Sequence, residues 1–264
     1  MLEERFDAAK SAVLEAGAML REVYPNPKSV QHKGSIDLLT QYDLRSEQIL
    51  INRIKKRFPN DTYLSEESLK ETTEEEYWLI DPIDGTTNFA HGLPEFAICV
   101  SYLRAGEPVL GIIYNPARDE LFHAIDGAGA YLNERAIRVS TQSDPMQSLL
   151  ATGFPYDPGT TNFDVFGAWA KIFYRSRGIR HIGCASMNTA YIAAGRLDAY
   201  WETNLHAWDV AAGFVLINEA GGTVTRLEGT PNPLREPCSI LATNGHLHGQ
   251  LLNLLHKFYK RAEE

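Results

Sequence analysis

The chain has 264 residues, 44% of them hydrophobic and 22% charged, enough for one large domain or two intimately packed halves. Its formal net charge of −9 argues against nucleic acid or an anionic membrane as the main partner, and any phosphate-bearing ligand would need local neutralisation by metal ions, helix N-termini or arginines. Cys99, Cys184 and Cys238 stand far apart with no disulfide or zinc spacing, so free thiols in a reducing cytoplasm are expected. The opening MLEERFDAAK lacks a basic stretch leading into an apolar one, and no run of 18 apolar residues exists. Neither a signal peptide nor a membrane span is expected, and the default is a cytoplasmic enzyme.

Residues 2–24 place Phe6, Ala9, Val13, Ala16, Leu20 and Val23 at three- and four-residue steps, which predicts an amphipathic helix. A second helix is predicted from about Leu44 to Arg57, with Leu50 and Ile54 one turn apart and Pro59 just beyond it. From Tyr63 to Tyr131 short apolar runs alternate with turn residues. Tyr77–Ile80, Phe96–Leu103, Val109–Tyr114 and Leu121–Ala124 read as strands. The polar, proline-ended stretch Thr141–Pro145 reads as a seam, dividing a single catalytic unit (1–264) into halves 1–145 and 146–264.

In the second half Leu149–Thr152, His181–Gly183, Ala199–Glu202, Gly222–Thr225 and Ile240–Thr243 are predicted strands. Asp164–Tyr174, Ser186–Ala194, Asp209–Ala220 and His246–Arg261 are predicted helices. Such alternation argues for a layered α/β fold with helices covering mostly buried sheets. Gly127-Ala128-Gly129 falls between strands, not at a strand-to-helix turn, so it is no dinucleotide fingerprint.

The richest segment runs from Tyr77 to Phe89. An apolar strand delivers Asp81 to its end, and Pro82, with fixed φ and no N–H, predicts a turn. Asp84 follows three residues on, so both carboxylates can face one point, with the Ile83 carbonyl between them as a neutral oxygen ligand. Gly85 permits a tight backbone, and Thr86 and Thr87 open a short helix whose first N–H groups, on Gly85 and Thr86, suit a phosphate oxygen. Taken alone, Asp81–Gly85 is equally an ordinary surface turn. Glu66, after the strand start Tyr63-Leu64, taken alone reads as a solvated acid. Asp209, opening a helix in Trp208–Gly213, taken alone reads as a cap or dipole partner. All four acids stand at element boundaries, where neighbouring segments can aim side chains into one crevice. Carboxylates plus a carbonyl, without imidazole or thiolate, suit hard Mg2+ over Zn2+. The Asp-x-x-Asp spacing excludes the Asp-x-Asp nucleophile of haloacid-dehalogenase-type phosphatases, and the acid and glycine positions exclude an EF-hand loop.

Asp81-Pro82-Ile83-Asp84-Gly85-Thr86, the upstream pair Glu66-Glu67, and Trp208–Gly213 followed by Glu219–Gly222 resemble the inositol monophosphatase family in order and spacing over nearly the whole chain. Ala151–Pro155 and Tyr191–Gly195 resemble its bacterial members. The resemblance implies alternating α-β-α-β-α layers of the sugar-phosphatase type and a homodimer. It implies hydrolysis of a small phosphate monoester, foremost myo-inositol monophosphate, by water activated by two or three Mg2+, with Li+ sensitivity. It assigns Glu66, Asp81 and the Ile83 carbonyl to one ion, Asp81, Asp84 and Asp209 to a second, and Glu66 to support of a third. Ile83, Asp84, Gly85 and Thr86 would face the phosphate, and Asp43 would pair with Thr86 to orient the attacking water. Gly183, Cys184, Ala185, Glu202 and Asp209 would meet the sugar hydroxyls, with Glu67 behind the metal ligands. Asp43 has an equal reading as the N-cap of the helix starting at Leu44.

Two residues depart from the pattern: Ser65, where glycine commonly precedes the two glutamates, and Cys184, where a small residue is usual. Within the same chemistry the alternatives are fructose-1,6-bisphosphate, other sugar or polyol phosphates, histidinol phosphate and the 3′-phosphate of adenosine bisphosphate. Arg175, Arg177 and Arg180 would serve a second phosphate, or form a solvated face or subunit contact. His206 and His91 read as acid–base groups or, more simply, as packed or exposed imidazoles. From a different class, some bacterial relatives have RNA-processing or transcription-associated roles, so a regulatory binding protein is the contrasting expectation.

Overall fold

The computed structural model describes residues 2–24, 30–32, 38–68, 74–155, 161–231 and 234–259. Helix α1 (Leu2–Val23) buries Ala9, Ala12, Val13, Ala16 and Leu20 along the stripe that its periodicity predicts. A short antiparallel pair, β1 (Val30–His32) and β2 (Leu38–Thr40), has no counterpart among the predicted elements. Helix α2 (Gln41–Arg57) begins three residues before the predicted Leu44, so Asp43 lies inside its first turn and is not the residue that precedes the helix. Its buried face carries Asp43, Ser46 and Glu47 beside Leu50 and Ile54, an unusually polar stripe for a core helix.

The next strands are β3 (Thr62–Ser65), β4 (Glu76–Asp84), β5 (Ala97–Arg104), β6 (Glu107–Asn115), β7 (Glu120–Ile125), β8 (Gly129–Leu132) and β9 (Arg135–Ala136), with α3 (Thr86–Ala90) between β4 and β5. They form one sheet in sequence order, antiparallel except for the β3–β4 pair. The later elements are β10 (Leu149–Thr152), α4 (Val165–Phe173), β11 (Gly178–Arg180), α5 (Ala185–Ala193), β12 (Ala199–Leu205), α6 (Ala207–Glu219), β13 (Thr223–Thr225), β14 (Cys238–Thr243) and α7 (His248–Leu255). Their five strands take the order β11-β10-β12-β14-β13. The predicted strand at His181–Gly183 is displaced: β11 ends at Arg180, and Gly183, at φ +78°, turns the chain into α5. Helix α7 stops at Leu255 and gives way to a 3-10 turn at His256–Phe258; its predicted end at Arg261 lies outside the described residues.

Period-two alternation sorts the core. From β5, Ala97 and Cys99 face α5 and α6, while Ile98, Val100 and Tyr102 face α1 and α2. From β12, Tyr200 faces α5 and α6, while Ala199 and Trp201 face α4 and α7. The order is therefore α1/α2, seven-stranded sheet, α5/α6, five-stranded sheet, α4/α7, the expected α-β-α-β-α layering. Both sheets are covered on two faces, which explains why β5 is apolar nearly throughout. Among the described residues no helix is long and apolar enough to cross a membrane. Leu20 of α1 is fully buried against the seven-stranded sheet. Leu20→Ala is expected to lower unfolding stability by about 2–5 kcal/mol through the cavity it leaves, read as a lower urea midpoint at unchanged m.

Candidate active site

Strands β3 and β4 run parallel, with Ser65 paired to Ile80, and the Glu66 N–H donates to the Ile80 carbonyl at 3.1 Å. Glu66 therefore emerges beside Asp81. Contrary to the predicted turn at Pro82, β4 continues to Asp84. Its pairing with β5 steps from Asp81–Cys99 to Asp84–Ala97, three residues against two, which is a bulge. A bulge accommodates Pro82 because no ladder donor is required there. The Pro82 carbonyl accepts from the buried Ser46 hydroxyl of α2 at 3.0 Å, and the Ile83 N–H donates to Asp81 Oδ1 at 3.0 Å.

At Asp84 the carboxylate crosses to the other half of the chain. Its Oδ2 accepts from the Ser186 N–H at 2.6 Å, the Ser186 hydroxyl at 2.5 Å and the Cys184 thiol at 3.1 Å, all at the start of α5. Gly85 has φ +84°, and a Cβ there would stand 3.0 Å from the Glu95 carbonyl and 3.2 Å from the Gly183 carbonyl, so only glycine fits. Thr86 opens α3. Its hydroxyl donates to the Ile83 carbonyl at 2.9 Å and lies 3.3 Å from Asp43 Oδ1, so Asp43 and Thr86 do meet. The Asn88 side-chain amide bonds the carbonyls of Glu95 (2.7 Å), Ile182 (2.8 Å) and Gly183 (3.2 Å), lashing α3 to the turn before α5.

Asp209 sits in the first turn of α6, where its Oδ2 accepts from the His206 N–H at 2.8 Å, so its capping role is real. It also joins the acids on β4. Burial raises the Asp81 carboxyl well above its ordinary range, helped by the negative charges of Glu66, Asp84, Asp209 and Asp43. Burial likewise raises Asp209, with Asp84 and Glu66 adding and the His206 N–H opposing. Five acids from four elements thus share one neighbourhood. The Cys99 thiol also lies within 4.8 Å of the Asp81 and Asp84 oxygens, but burial and those same charges hold it protonated. The charged donors are all carboxylates, an environment for a hard divalent cation.

Glu202 on β12 lies close enough to the cluster for its carboxyl to feel the Asp84 charge. Its Oε2 accepts from the Tyr200 hydroxyl, and burial pushes it up to about 7, against that bond and with help from Asp84. Glu67 is half-buried, and Ser65 takes the extended backbone of β3 where glycine commonly stands. His206 is exposed, stacks on Trp208 at 4.6 Å and pairs with Glu236 at 3.5 Å, a structural post at the mouth of α6. His91 is exposed at the end of α3, Arg175 and Arg177 are exposed between α4 and β11, and Arg180 is exposed at the end of β11.

The inositol monophosphatase family model matches residues 1–259. The chain belongs to that family. It is 40% identical over 257 residues to an inositol-1-monophosphatase of Synechocystis sp., covering 96% of this chain and 89% of the relative. Among solved structures it superposes on the extragenic suppressor protein suhB of Bartonella henselae with a TM-score of 0.90 at 38% identity, over 96% of this chain and 98% of that one. The inositol monophosphatase of Anabaena (Nostoc) sp. superposes with a TM-score of 0.87 at 38% identity, over 97% of each chain. Inositol monophosphatases are metal-dependent phosphoric monoester hydrolases, in keeping with the acid cluster.

Sequence reasoning missed Ser186, Asn88, Ser46 and Tyr200, whose partners are mostly far off in the chain. Asn88, next to the Thr86-Thr87 helix start, and Tyr200, two residues before Glu202 on a predicted strand, carried local signals. The raised carboxyls give a signed prediction. A carboxylate whose folded pKa is raised favours folding when protonated, so that contribution is lost as pH rises from the ordinary carboxylate value through the folded one. For Glu202 the window runs from 4.5 to about 7. Metal-free protein is expected to lose stability across it, and Asp81→Asn to raise metal-free stability by at least about 1 kcal/mol, roughly 2–4 °C in Tm. Thermal scans of metal-free wild type and variant across that pH range check it.

Proposed function

We propose that the chain hydrolyses a small phosphate monoester in an Mg2+-dependent reaction, with myo-inositol monophosphate as the leading substrate. The observation that carries this is the convergence of Glu66, Asp81, Asp84 and Asp209 beside the Asp43–Thr86 contact and the glycine-floored turn at Gly85. Glu66, Asp81 and the Ile83 carbonyl would hold one ion, Asp81, Asp84 and Asp209 a second, and Glu66 would support a third. When bound, such ions acidify a water nucleophile and offset charge on the phosphate and the leaving oxygen.

The chain's own groups do the rest. The Gly85 and Thr86 N–H groups donate to a phosphate oxygen, and Ile83 and Asp84 border it. Thr86, fixed by Asp43, orients the attacking water in line with the ester oxygen. Phosphate passes directly to water, so no side chain is phosphorylated. Glu202 and the backbone of Gly183, Cys184 and Ala185 face the substrate hydroxyls, with Asp209 alongside. The halves 1–145 and 146–264 act as one catalytic unit, joined at the Asp84–Ser186 contact. Li+ sensitivity, a homodimer and a cytoplasmic location belong to the same reading. Fructose-1,6-bisphosphate would need the exposed arginines near β11 as a second anion site. The regulatory-binding alternative draws on the names of relatives, the extragenic suppressor protein suhB of Bartonella henselae and the Nus factor SuhB of Escherichia coli, the latter 39% identical over 231 residues.

Phosphate release from myo-inositol monophosphate, fructose-1,6-bisphosphate, histidinol phosphate and adenosine 3′,5′-bisphosphate, with Mg2+ or with chelator, tests the reading. Inositol monophosphate is expected to be preferred and chelator to abolish turnover. Asp84→Asn is expected to lose at least ~100-fold in activity, beyond what an outer-shell change costs a metal site, while staying folded. Full activity in Asp84→Asn would remove the metal assignment.

A further inference from the structure

Beside the acid cluster, β12 and β10 pair in parallel, Ala151 to Tyr200 and Thr152 to Trp201, which sets Gly153 across from Glu202. The Thr152 hydroxyl donates to the Trp201 carbonyl at 2.8 Å and pins that register. Tyr200 and Glu202, two residues apart, project on one face of β12. The Tyr200 ring is fully buried in the core shared with α5 and α6, and its hydroxyl donates to Glu202 Oε2. On the other side a Cβ built on Gly153 would overlap the Glu202 carboxylate. The carboxylate therefore rests on bare backbone, with one oxygen held by a phenol whose ring is fully buried.

We propose that Tyr200 and Gly153 are positioning residues that fix the Glu202 carboxylate, and that this sets the enzyme's preference for polyhydroxylated phosphate esters over esters with no hydroxyl to read. The proposal rests on the reading of Glu202 as the group that meets substrate hydroxyls. A glutamate has flexible torsions, and ordering them when substrate arrives costs affinity. A carboxylate already held by Tyr200 Oη above Gly153 has met that cost before binding, with Oε2 engaged and Oε1 left to accept a substrate hydroxyl. Neither Tyr200 nor Gly153 needs to touch the substrate.

The test measures kcat and KM for myo-inositol monophosphate and p-nitrophenyl phosphate, which carries no alcohol hydroxyl, in wild type, Tyr200→Phe, Gly153→Ala and Glu202→Gln. Each variant is expected to lower the ratio of kcat/KM values, inositol ester over nitrophenyl ester, by about tenfold, mostly through KM for the inositol ester. Tyr200→Phe combined with Glu202→Gln is expected to be no worse than Glu202→Gln alone, because both act through one carboxylate. A merely structural role would slow both esters together and leave the ratio in place, which overturns the proposal. If only Glu202→Gln lowers the ratio, the positioning claim fails and the proposed function stands. If Glu202→Gln leaves the ratio as in wild type, the reading of Glu202 fails and the inference with it. A crystal structure of Tyr200→Phe decides the matter even without turnover: Glu202 should leave its seat on Gly153, and an unmoved carboxylate overturns the proposal.

Discussion

Negative charge held at close quarters and away from water is the constraint around which this molecule is arranged. Asp81 is almost fully buried, and the charges of Glu66, Asp84, Asp209 and Asp43 all bear on it. In a medium of low effective dielectric such carboxylates repel one another strongly, and each loses hydration besides. A fold selected for stability alone would separate them. Here four elements converge to press them together: the end of β3, the bulge in β4, the first turn of α2 and the first turn of α6. Under the proposed function, bound divalent cations would resolve that conflict and would make ion binding and local stability one quantity.

The acids are also individually tethered. Asp81 is braced by the Ile83 N–H, Asp209 by the His206 N–H, and Asp84 by both donors of Ser186. Each tether occupies one carboxylate oxygen and so aims the other. The Asp84 tether joins the seven-stranded sheet to the helical layer between the sheets, so the site's geometry depends on how β4 and α5 pack. Asn88 repeats the strategy from α3, gripping the backbone at Ile182 and Gly183. The walls that would meet substrate are thus carried by the same contacts that hold the acids.

Much of this could be read before any coordinates. The Asp81–Thr86 segment, Glu66 and Asp209 could be picked out together because carboxylates near predicted strand ends and helix starts are a local pattern, although Asp81 lies inside β4 at its bulge and not at a strand end. The departures have physical reasons. Pro82 signals a turn by its own chemistry, yet a bulge tolerates it equally, and only the pairing with β5 distinguishes them. Helix α2 starts at Gln41 because Tyr42 and Asp43 are buried inside it, and burial of an aspartate is not a propensity signal. Strand β11 has three residues, too few for periodicity to place it. Ser186 and Gly153 gain meaning only from contacts made through the fold, whereas the Tyr200–Glu202 pair follows from a strand's period of two.

In the proposed function the carboxylates of Glu66, Asp81, Asp84 and Asp209 enclose divalent cations. A crystal grown or soaked with Mn2+, with data collected at the manganese edge, addresses it directly. Two or more anomalous peaks are expected within bonding distance of those oxygens, with the Ile83 carbonyl turned toward one of them. Saturating Mn2+ that leaves no anomalous density among these side chains, or acids found pointing into separate regions of solvent, would contradict it.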